Sequence, residues 1–207
     1  MEDNITQSPN LELTFEGCIP KKYQEIILAY TQYSDKLVLG GSLALNILGI
    51  MKSNWDDRMP DIDFSLTEEF KPGELDYIVN FFMLSSRNTS YGGENKDLLL
   101  FSKLIDIENH PNYVEYNVDF FNKDYINERD IINITYKLED GNKFKLKLTH
   151  PSIIISYKAL YAFDPRVYKN AKHFDDLSIL FGNKDKTWFH TLRTIEHQES
   201  LVTYELV

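Results

Sequence analysis

The chain has 207 residues and a formal net charge of −10, with 32 acidic and 22 basic side chains. Hydrophobic residues make up 43% of it and aromatic residues 14%, which is enough for a packed core and excludes general disorder. Its single cysteine excludes an internal disulfide framework. The acidic N-terminus does not resemble a secretory signal, and no apolar run approaches the roughly 20 residues of a membrane span. We therefore expect a cytoplasmic protein with no membrane partner.

The charge is distributed unevenly along the chain. Residues 1–142 carry 25 acidic and 12 basic side chains, whereas residues 143–193 carry 10 basic and 4 acidic ones. The acidic total argues against a generic binder of polyanions, because phosphate backbones are met by Lys and Arg. Two interpretations of the basic segment stay open: an ordinary uneven surface, or positive charge that faces a phosphate or nucleic-acid ligand.

The N-terminal part predicts helices alternating with a strand. A polar lead over residues 1–19 is followed by apolar residues at helical spacing over 21–33, which predict an amphipathic helix. The apolar run 36–39 ends at a glycine pair and predicts a buried strand. A further helix is expected over 43–48, with Ser42 as its N-cap.

The middle of the chain predicts mostly strands, and the C-terminal part predicts helices. Pro72 and the apolar spacing after it predict a helix over 72–86. The expected strands cover residues 61–66, 97–108, 113–121, 131–138 and 143–148, the last two joined by a hairpin at Asp140-Gly141. We expect an α/β fold: a short mixed sheet with flanking helices in a core of residues 1–150, then a helical segment over 151–207 that completes a cleft.

The glycine pair Gly40-Gly41, followed by Ser42, is the first candidate for chemistry. Glycine between a strand and a helix lets a ligand approach the main chain, and the helix N-terminus offers unpaired N–H groups to a phosphate. A tight turn needs the same residues, so the motif alone leaves both interpretations open. It is neither a P-loop nor a dinucleotide-binding turn, because the further residues of those motifs are absent.

Asp61 and Asp63 form the second candidate. Residues i and i+2 of a strand point to one face, so the two carboxylates converge, and their repulsion favours a cation between them. Mg²⁺ prefers carboxylate oxygens together with substrate phosphates. The alternative is a solvated strand edge, for which Asp has a poor propensity.

A third carboxylate would allow a second metal ion to bind. Asp119 is isolated in an apolar, aromatic strand, whereas Asp106 and Glu108 have the alternation of a solvated hairpin face. We prefer Asp119, because its strand has less reason to carry an acid for solubility. Two ions would activate an attacking hydroxyl and stabilise a leaving pyrophosphate.

These motifs, in this order, resemble the polymerase-β-type nucleotidyltransferase superfamily. The segment with Lys158-Ala159, Arg166 and Lys172 to Leu177 is similar to the C-terminal motif of AbiEii-like nucleotidyltransferases, although His173 stands where that family has Asp. The resemblance covers roughly residues 36–182. It implies the nucleotidyltransferase fold and transfer of a nucleoside monophosphate from an NTP to a hydroxyl acceptor.

The resemblance also assigns roles to individual residues. It implies that Asp61, Asp63 and Asp119 are catalytic and bind Mg²⁺ or Mn²⁺. It implies a nucleotide site formed by Gly40, Gly41, Ser42, Lys158, Lys172 and Asp176. From the sequence alone, Lys158 is equally compatible with a solvated cation whose stem packs on the core.

The family covers several substrates and partners. AbiEii-like proteins are toxins of toxin–antitoxin or phage-defence systems, and relatives modify tRNA ends, proteins or small molecules. An NTP, one of these acceptors and an antitoxin are therefore the expected partners. The alternative function is a catalytically degenerate member of the fold that binds a nucleotide or a partner protein.

Overall fold

A computed structural model describes residues 10–16, 20–51, 61–87, 98–108, 110–121, 125–138, 140–163 and 170–182. Five α-helices and eight strands are formed within these ranges. The strands are β1 (Asn10–Glu16), β2 (Leu37–Leu39), β3 (Ile62–Leu66), β4 (Leu84–Ser86), β5 (Leu98–Ile107), β6 (His110–Phe121), β7 (Ile131–Lys137) and β8 (Lys143–Thr149). The α-helices are α1 (Lys21–Tyr33), α2 (Gly41–Ile47), α3 (Glu74–Phe81), α4 (Pro151–Phe163) and α5 (Asn170–Gly182).

All eight described strands belong to one mixed sheet, in the order β1-β7-β8-β2-β3-β6-β5-β4. Strands β1 and β7, β8 and β2, and β3 and β6 pair in parallel, and the remaining neighbours pair antiparallel. The expected α/β fold, a mixed sheet with flanking helices and a helical C-terminal part, is thereby confirmed. The centre of the sheet is formed by β2, β3 and β6, the strands that precede or carry the candidate motifs.

One face of the central strands is covered by aromatic and aliphatic side chains. Phe64 of β3 and Phe120 of β6 are fully buried, and their rings stack with centroids 5.9 Å apart. Tyr30 of α1 packs against Phe64 and stacks on Phe82, at 5.6 and 3.9 Å between centroids. Because side chains alternate along a strand, the residues next to Phe64 and Phe120 face the opposite side of the sheet.

The predicted helix over 72–86 is wrong in its extent. Helix α3 ends at Phe81, and the chain turns through Met83, which has a φ of +51°, into strand β4. Phe82 is held by packing on Tyr30, and its carbonyl oxygen accepts a hydrogen bond of 2.9 Å from Lys103 Nζ. Tertiary packing and the pairing of β4 with β5 therefore override the helical spacing of the sequence.

The predicted N-cap of α2 is also wrong. The helix begins at Gly41 with Gly40 as its N-cap, so Ser42 lies inside the first turn and makes no capping bond. The left-handed φ of +60° at Gly41 explains the difference, because the backbone reverses one residue earlier than a serine cap requires.

Helix α1 and the hairpin around Gly141 have the predicted positions. Helix α1 spans Lys21–Tyr33, and Gly141 between β7 and β8 has a φ of +88°, as a glycine hairpin turn requires. In the described ranges, no helix has both the length and the apolar character needed to cross a membrane.

Candidate active site

Three carboxylates, those of Asp61, Asp63 and Asp119, lie on one face at the centre of the sheet, and we call them the acid row. Asp63 and Asp119 are direct partners across the parallel strands β3 and β6, and Asp61 precedes Asp63 by two residues. Ile62 and Phe64 are fully buried on the opposite face, whereas the three acids are only partly buried. Strand register therefore brings the predicted carboxylates together.

The competing acid Asp106 lies away from this row. It is exposed near the tip of the β5–β6 hairpin, where its Oδ1 accepts a hydrogen bond of 2.9 Å from the backbone N–H of Asn112. Glu108 is also exposed in this hairpin. Both acids therefore lie on a solvated hairpin face, as their alternating pattern predicts, and this agrees with the preference for Asp119.

The glycine pair packs directly on Asp63. The backbone N–H of Gly40 donates to the carbonyl oxygen of Asp63 at 2.7 Å, which extends the pairing of β2 with β3. A Cβ atom on Gly41 would lie 1.8 Å from Asp63 Oδ2 and 2.7 Å from its Cγ. Only glycine fits there, both for space and for the positive φ. The glycine turn and Asp63 therefore pack together as one unit.

The environment of Asp63 disfavours its ionised form. Burial of the carboxylate, followed by repulsion from Asp61, raises the pKa of Asp63 to about 6 from an ordinary value of 3.8. The positive charges of Lys172, Lys158 and Arg87 act in the opposite direction and lower this pKa. The three cationic side chains therefore offset only part of the effect that burial and Asp61 have on the pKa of Asp63.

Asp61 is positioned by a short hydrogen-bond chain from β5. Asn117 Nδ2 donates to Asp61 Oδ1 at 3.0 Å, and the hydroxyl of Ser102 donates to Asn117 Oδ1 at 2.7 Å. Ser102 is buried and is the cross-strand partner of Asn117, so the amide is fixed with its N–H₂ toward the acid row. Asn117 was not predicted from the sequence, although it lies two residues before Asp119 and on the same face.

Asp119 is held by an arginine that the sequence analysis missed. Arg87 Nη2 donates to Asp119 Oδ1 and forms an ion pair with it. Burial lowers the pKa of Arg87, while the charges of Asp61 and Asp63 raise it, so the guanidinium interacts electrostatically with the other two acids as well. Arg87 follows directly on strand β4, and the sequence analysis missed it because β4 lies inside the helix predicted over 72–86.

Lys158 connects the glycine turn to the C-terminal helices. Its ammonium group donates to Ser42 Oγ at 2.9 Å and to Asp176 Oδ2 at 2.5 Å. The Lys158 side chain is only 7% exposed and that of Asp176 only 13%. The alternative of a solvated lysine is therefore wrong, and the three residues form a bridge beside Gly41.

The remaining residues of the C-terminal motif differ in position. Lys172 is exposed on α5 but close enough to lower the pKa of Asp63. The ring of His173 packs against Tyr161, with centroids 5.4 Å apart. Arg166 lies outside the described residues.

The acid row fits a metal ion in its chemistry and only partly in its geometry. Carboxylate oxygens suit Mg²⁺ or Mn²⁺, and the repulsion between Asp61 and Asp63 would be relieved by a cation. Within the described ranges, however, no three His, Cys, Asp or Glu side chains are arranged to hold one ion. Asp61 and Asp63 fit a cation as a pair, whereas Asp119 is engaged by Arg87.

Comparison with known proteins leaves the family resemblance as a prediction. No protein-family model, no curated protein and no solved structure matches the chain. The site is therefore argued from its own residues.

The contact between Gly41 and Asp63 predicts a specific non-additivity. Gly41→Ala and Gly49→Ala place alanine at similar positive φ angles, +60° and +67°, but only Gly41 has a neighbour within 4 Å. We expect Gly49→Ala to cost about 1–2 kcal/mol of unfolding free energy and Gly41→Ala to cost more, because Asp63 must also move. In an Asp63→Ala background the difference between the two costs should shrink, because only the Cβ of residue 63, at 3.0 Å, remains close to the added methyl group. Denaturant unfolding of the five variants checks this, and an equal cost in the native background would contradict the packing.

The raised pKa of Asp63 predicts a pH-dependent gain in stability for Asp63→Asn. The cost of the ionised carboxylate falls toward zero below about pH 4, where the side chain becomes protonated in both the folded and the unfolded state, and reaches its full amount above about pH 6, where it is charged in both. Asp63→Asn should therefore raise the melting temperature in EDTA at pH 7.5, with a gain in unfolding free energy on the order of 2–3 kcal/mol, and change it little at pH 4.

The control for this measurement is Asp106→Asn, which removes an exposed carboxylate and keeps an oxygen acceptor for Asn112. It should leave the melting temperature unchanged at both pH values. A gain for Asp63→Asn that is the same at pH 4 and pH 7.5 would show that repulsion at this carboxylate is not its cause.

Proposed function

We propose that this chain is a metal-dependent nucleotidyltransferase, which moves a nucleoside monophosphate from an NTP to a hydroxyl group of a tRNA, a protein or a small molecule. The resemblance to AbiEii-like proteins extends the proposal to a toxin or phage-defence role with an antitoxin as partner. The chemistry rests on the cleft, and the biological role rests on the resemblance.

The observation that carries the proposal is the meeting of three distant segments at Gly41. The turn packs on Asp63, and Ser42, the next residue, accepts from the buried Lys158. The acid row, which can bind a cation, thus lies next to an ammonium group that can bind a phosphate. A solvated strand edge or a simple tight turn needs no buried lysine at the same place.

Lys158 is suited to hold the triphosphate. An ammonium group has three N–H donors, and in the described part of the chain Ser42 and Asp176 take two of them. The third can donate to a phosphate oxygen, with Lys172 adding positive charge at the same carboxylate. Asp176 keeps the ammonium group oriented and charged as the phosphate binds.

The transfer reaction forms one P–O bond and breaks another. The acceptor oxygen attacks the α-phosphorus, the bond to the β-phosphate breaks, pyrophosphate leaves, and the hydroxyl proton passes to the acid row and on to water. Bound Mg²⁺ or Mn²⁺, held by Asp61 and Asp63, would supply charge neutralisation and hydroxyl activation. The protein contributes positioning: Asn117 orients Asp61, Gly41 leaves space for Asp63, and the lysine holds the phosphates.

One observation favours the second candidate function, nucleotide binding without transfer. Arg87 is paired with Asp119, and a protein that had lost its second metal ion would keep such a pair. Binding and transfer differ in their products, so they are separated by measuring pyrophosphate.

The acid row predicts loss of transfer in Asp63→Asn. Each α-labelled NTP is incubated with the protein, Mg²⁺ and, in separate reactions, bulk tRNA, a protein extract and a mixture of small hydroxyl compounds. We expect label transfer and equimolar pyrophosphate with at least one combination. Asp63→Asn should lower the rate more than about 100-fold, since even outer partners of metal ligands typically cost 10–100-fold, whereas Asp106→Asn should keep it.

Two results would contradict the proposal. Stabilisation of the protein by an NTP with no pyrophosphate from any acceptor would favour the binding function. Full activity of Asp63→Asn would show that the acid row takes no part in the reaction.

The Lys158 bridge predicts that NTP affinity and stability can be separated. Lys158→Met should weaken binding of a non-hydrolysable NTP about 10–100-fold, the value of a charge-assisted hydrogen bond, and should lower stability by leaving Asp176 unpaired. Lys158→Met/Asp176→Asn should regain stability and not affinity. Lys145→Met, on the exposed side of β8, is the control for charge. Recovery of NTP affinity in the double variant would show that Lys158 has only a structural role.

A further inference from the structure

Arg87 reaches the acid row from the edge of the sheet. Its backbone N–H donates to the carbonyl oxygen of Leu100 at 2.9 Å, which continues the pairing of β4 with β5 by one residue. Leu100 is in turn the cross-strand partner of Asp119, which is the partner of Asp63. Arg87, Leu100, Asp119 and Asp63 therefore lie in one line across the sheet, with Leu100 between the arginine and the two acids.

The guanidinium group acts as a cation for the row. It pairs with Asp119, and the two side chains are 23% and 14% exposed, so the pair is largely removed from solvent. The positive charge of Arg87 also lowers the pKa of Asp63, and the charges of Asp61 and Asp63 raise the pKa of Arg87. Its Nε is buried without a hydrogen-bond partner in the described residues, so the group is held through its ion pair.

A guanidinium and a metal ion make conflicting demands on Asp119. Arg87 Nη2 occupies one oxygen of Asp119, and a cation bound at the other oxygen would lie close to the guanidinium, so that the two positive groups on one carboxylate would repel each other. A released guanidinium would in turn be a poorly solvated charge without a partner, which is costly unless another anion replaces Asp119. Phosphate suits this role, because the planar fork of arginine binds it in a bidentate manner.

We propose that Arg87 is an internal counter-ion of the acid row, which competes with a divalent cation for Asp119 and is released from it when a triphosphate arrives with the cation. The inference rests on the metal and NTP site of the proposed function. Its consequence is that metal and NTP bind cooperatively: each is weak alone, and each strengthens the other by the same factor.

The test measures Mn²⁺ binding to the intact chain by electron paramagnetic resonance, with and without a non-hydrolysable NTP. For the native protein we expect the analogue to strengthen Mn²⁺ binding at least about fivefold. Arg87→Met should bind Mn²⁺ alone about tenfold more tightly and should lose most of the effect of the analogue. Arg129→Met removes the same charge from an exposed arginine paired at 3.9 Å with Asp130, and it should behave as the native protein.

A second pair of variants keeps the test independent of folding. Arg87→Lys keeps the charge with a shorter, compact group and should give an intermediate Mn²⁺ affinity. In an Asp119→Asn background, Arg87→Met should strengthen Mn²⁺ binding much less than in the native background, because the carboxylate over which the two cations compete is gone and only the longer-range repulsion at Asp61 and Asp63 remains.

The outcomes separate this inference from the proposed function. Equal Mn²⁺ affinities for Arg87→Met and Arg129→Met would overturn the competition, even if the protein transfers nucleotides. Tighter Mn²⁺ binding by Arg87→Met in a protein that transfers nothing would support the competition and contradict the transferase. No Mn²⁺ binding by any variant, with or without the analogue, would overturn both.

Discussion

The parallel pairing of β3 with β6, in the register that sets Asp63 beside Asp119, is the constraint on which the rest of the site depends. A slip of one residue in either strand would turn its acid into the aromatic core and put its phenylalanine, Phe64 or Phe120, on the face of the acid row. The register is fixed on the other face, where these two rings stack on each other and Tyr30 packs on Phe64. Hydrophobic packing on one side of the sheet thus determines the carboxylate geometry on the other.

Clustered carboxylates need positive charge, and the fold supplies it from the middle and the C-terminal part of the chain. Arg87 comes from the edge strand, Lys158 from α4 and Lys172 from α5, and all three act on Asp63. The acidic total of the chain says little about this cleft, where cations and acids alternate over short distances. The C-terminal helices are therefore part of the site, since Lys158 contacts Ser42 directly.

The sequence predicts those features that are encoded locally. Asp61 and Asp63 share a face because they are two residues apart on a strand, and Gly141 marks its hairpin by backbone conformation alone. Asp119 was chosen over Asp106 because of the apolar strand around it. Arg87 and Asn117 were missed because their roles depend on which strands become neighbours, and strand β4, which Arg87 follows, lies inside the predicted helix. The N-cap assigned to Ser42 is wrong because the backbone reverses at Gly41, and the contact of Ser42 with Lys158, 116 residues away, could not be predicted from local sequence.

The three carboxylates of the row are held in three different ways, and this orders their availability to a cation. Among the described residues, Asp61 accepts a hydrogen bond only from a neutral amide, on one oxygen, which leaves the other for a ligand. Asp63 is buried beneath Gly41 beside a like charge, so it gains most from a cation. Asp119 already has the guanidinium of Arg87. A cation that enters the cleft would therefore meet Asp61 and Asp63 first, and Asp119 would join only after exchange of its partner. Asp61 and Asp63 are thus positioned for a cation in advance, whereas binding at Asp119 requires that Arg87 first leaves it.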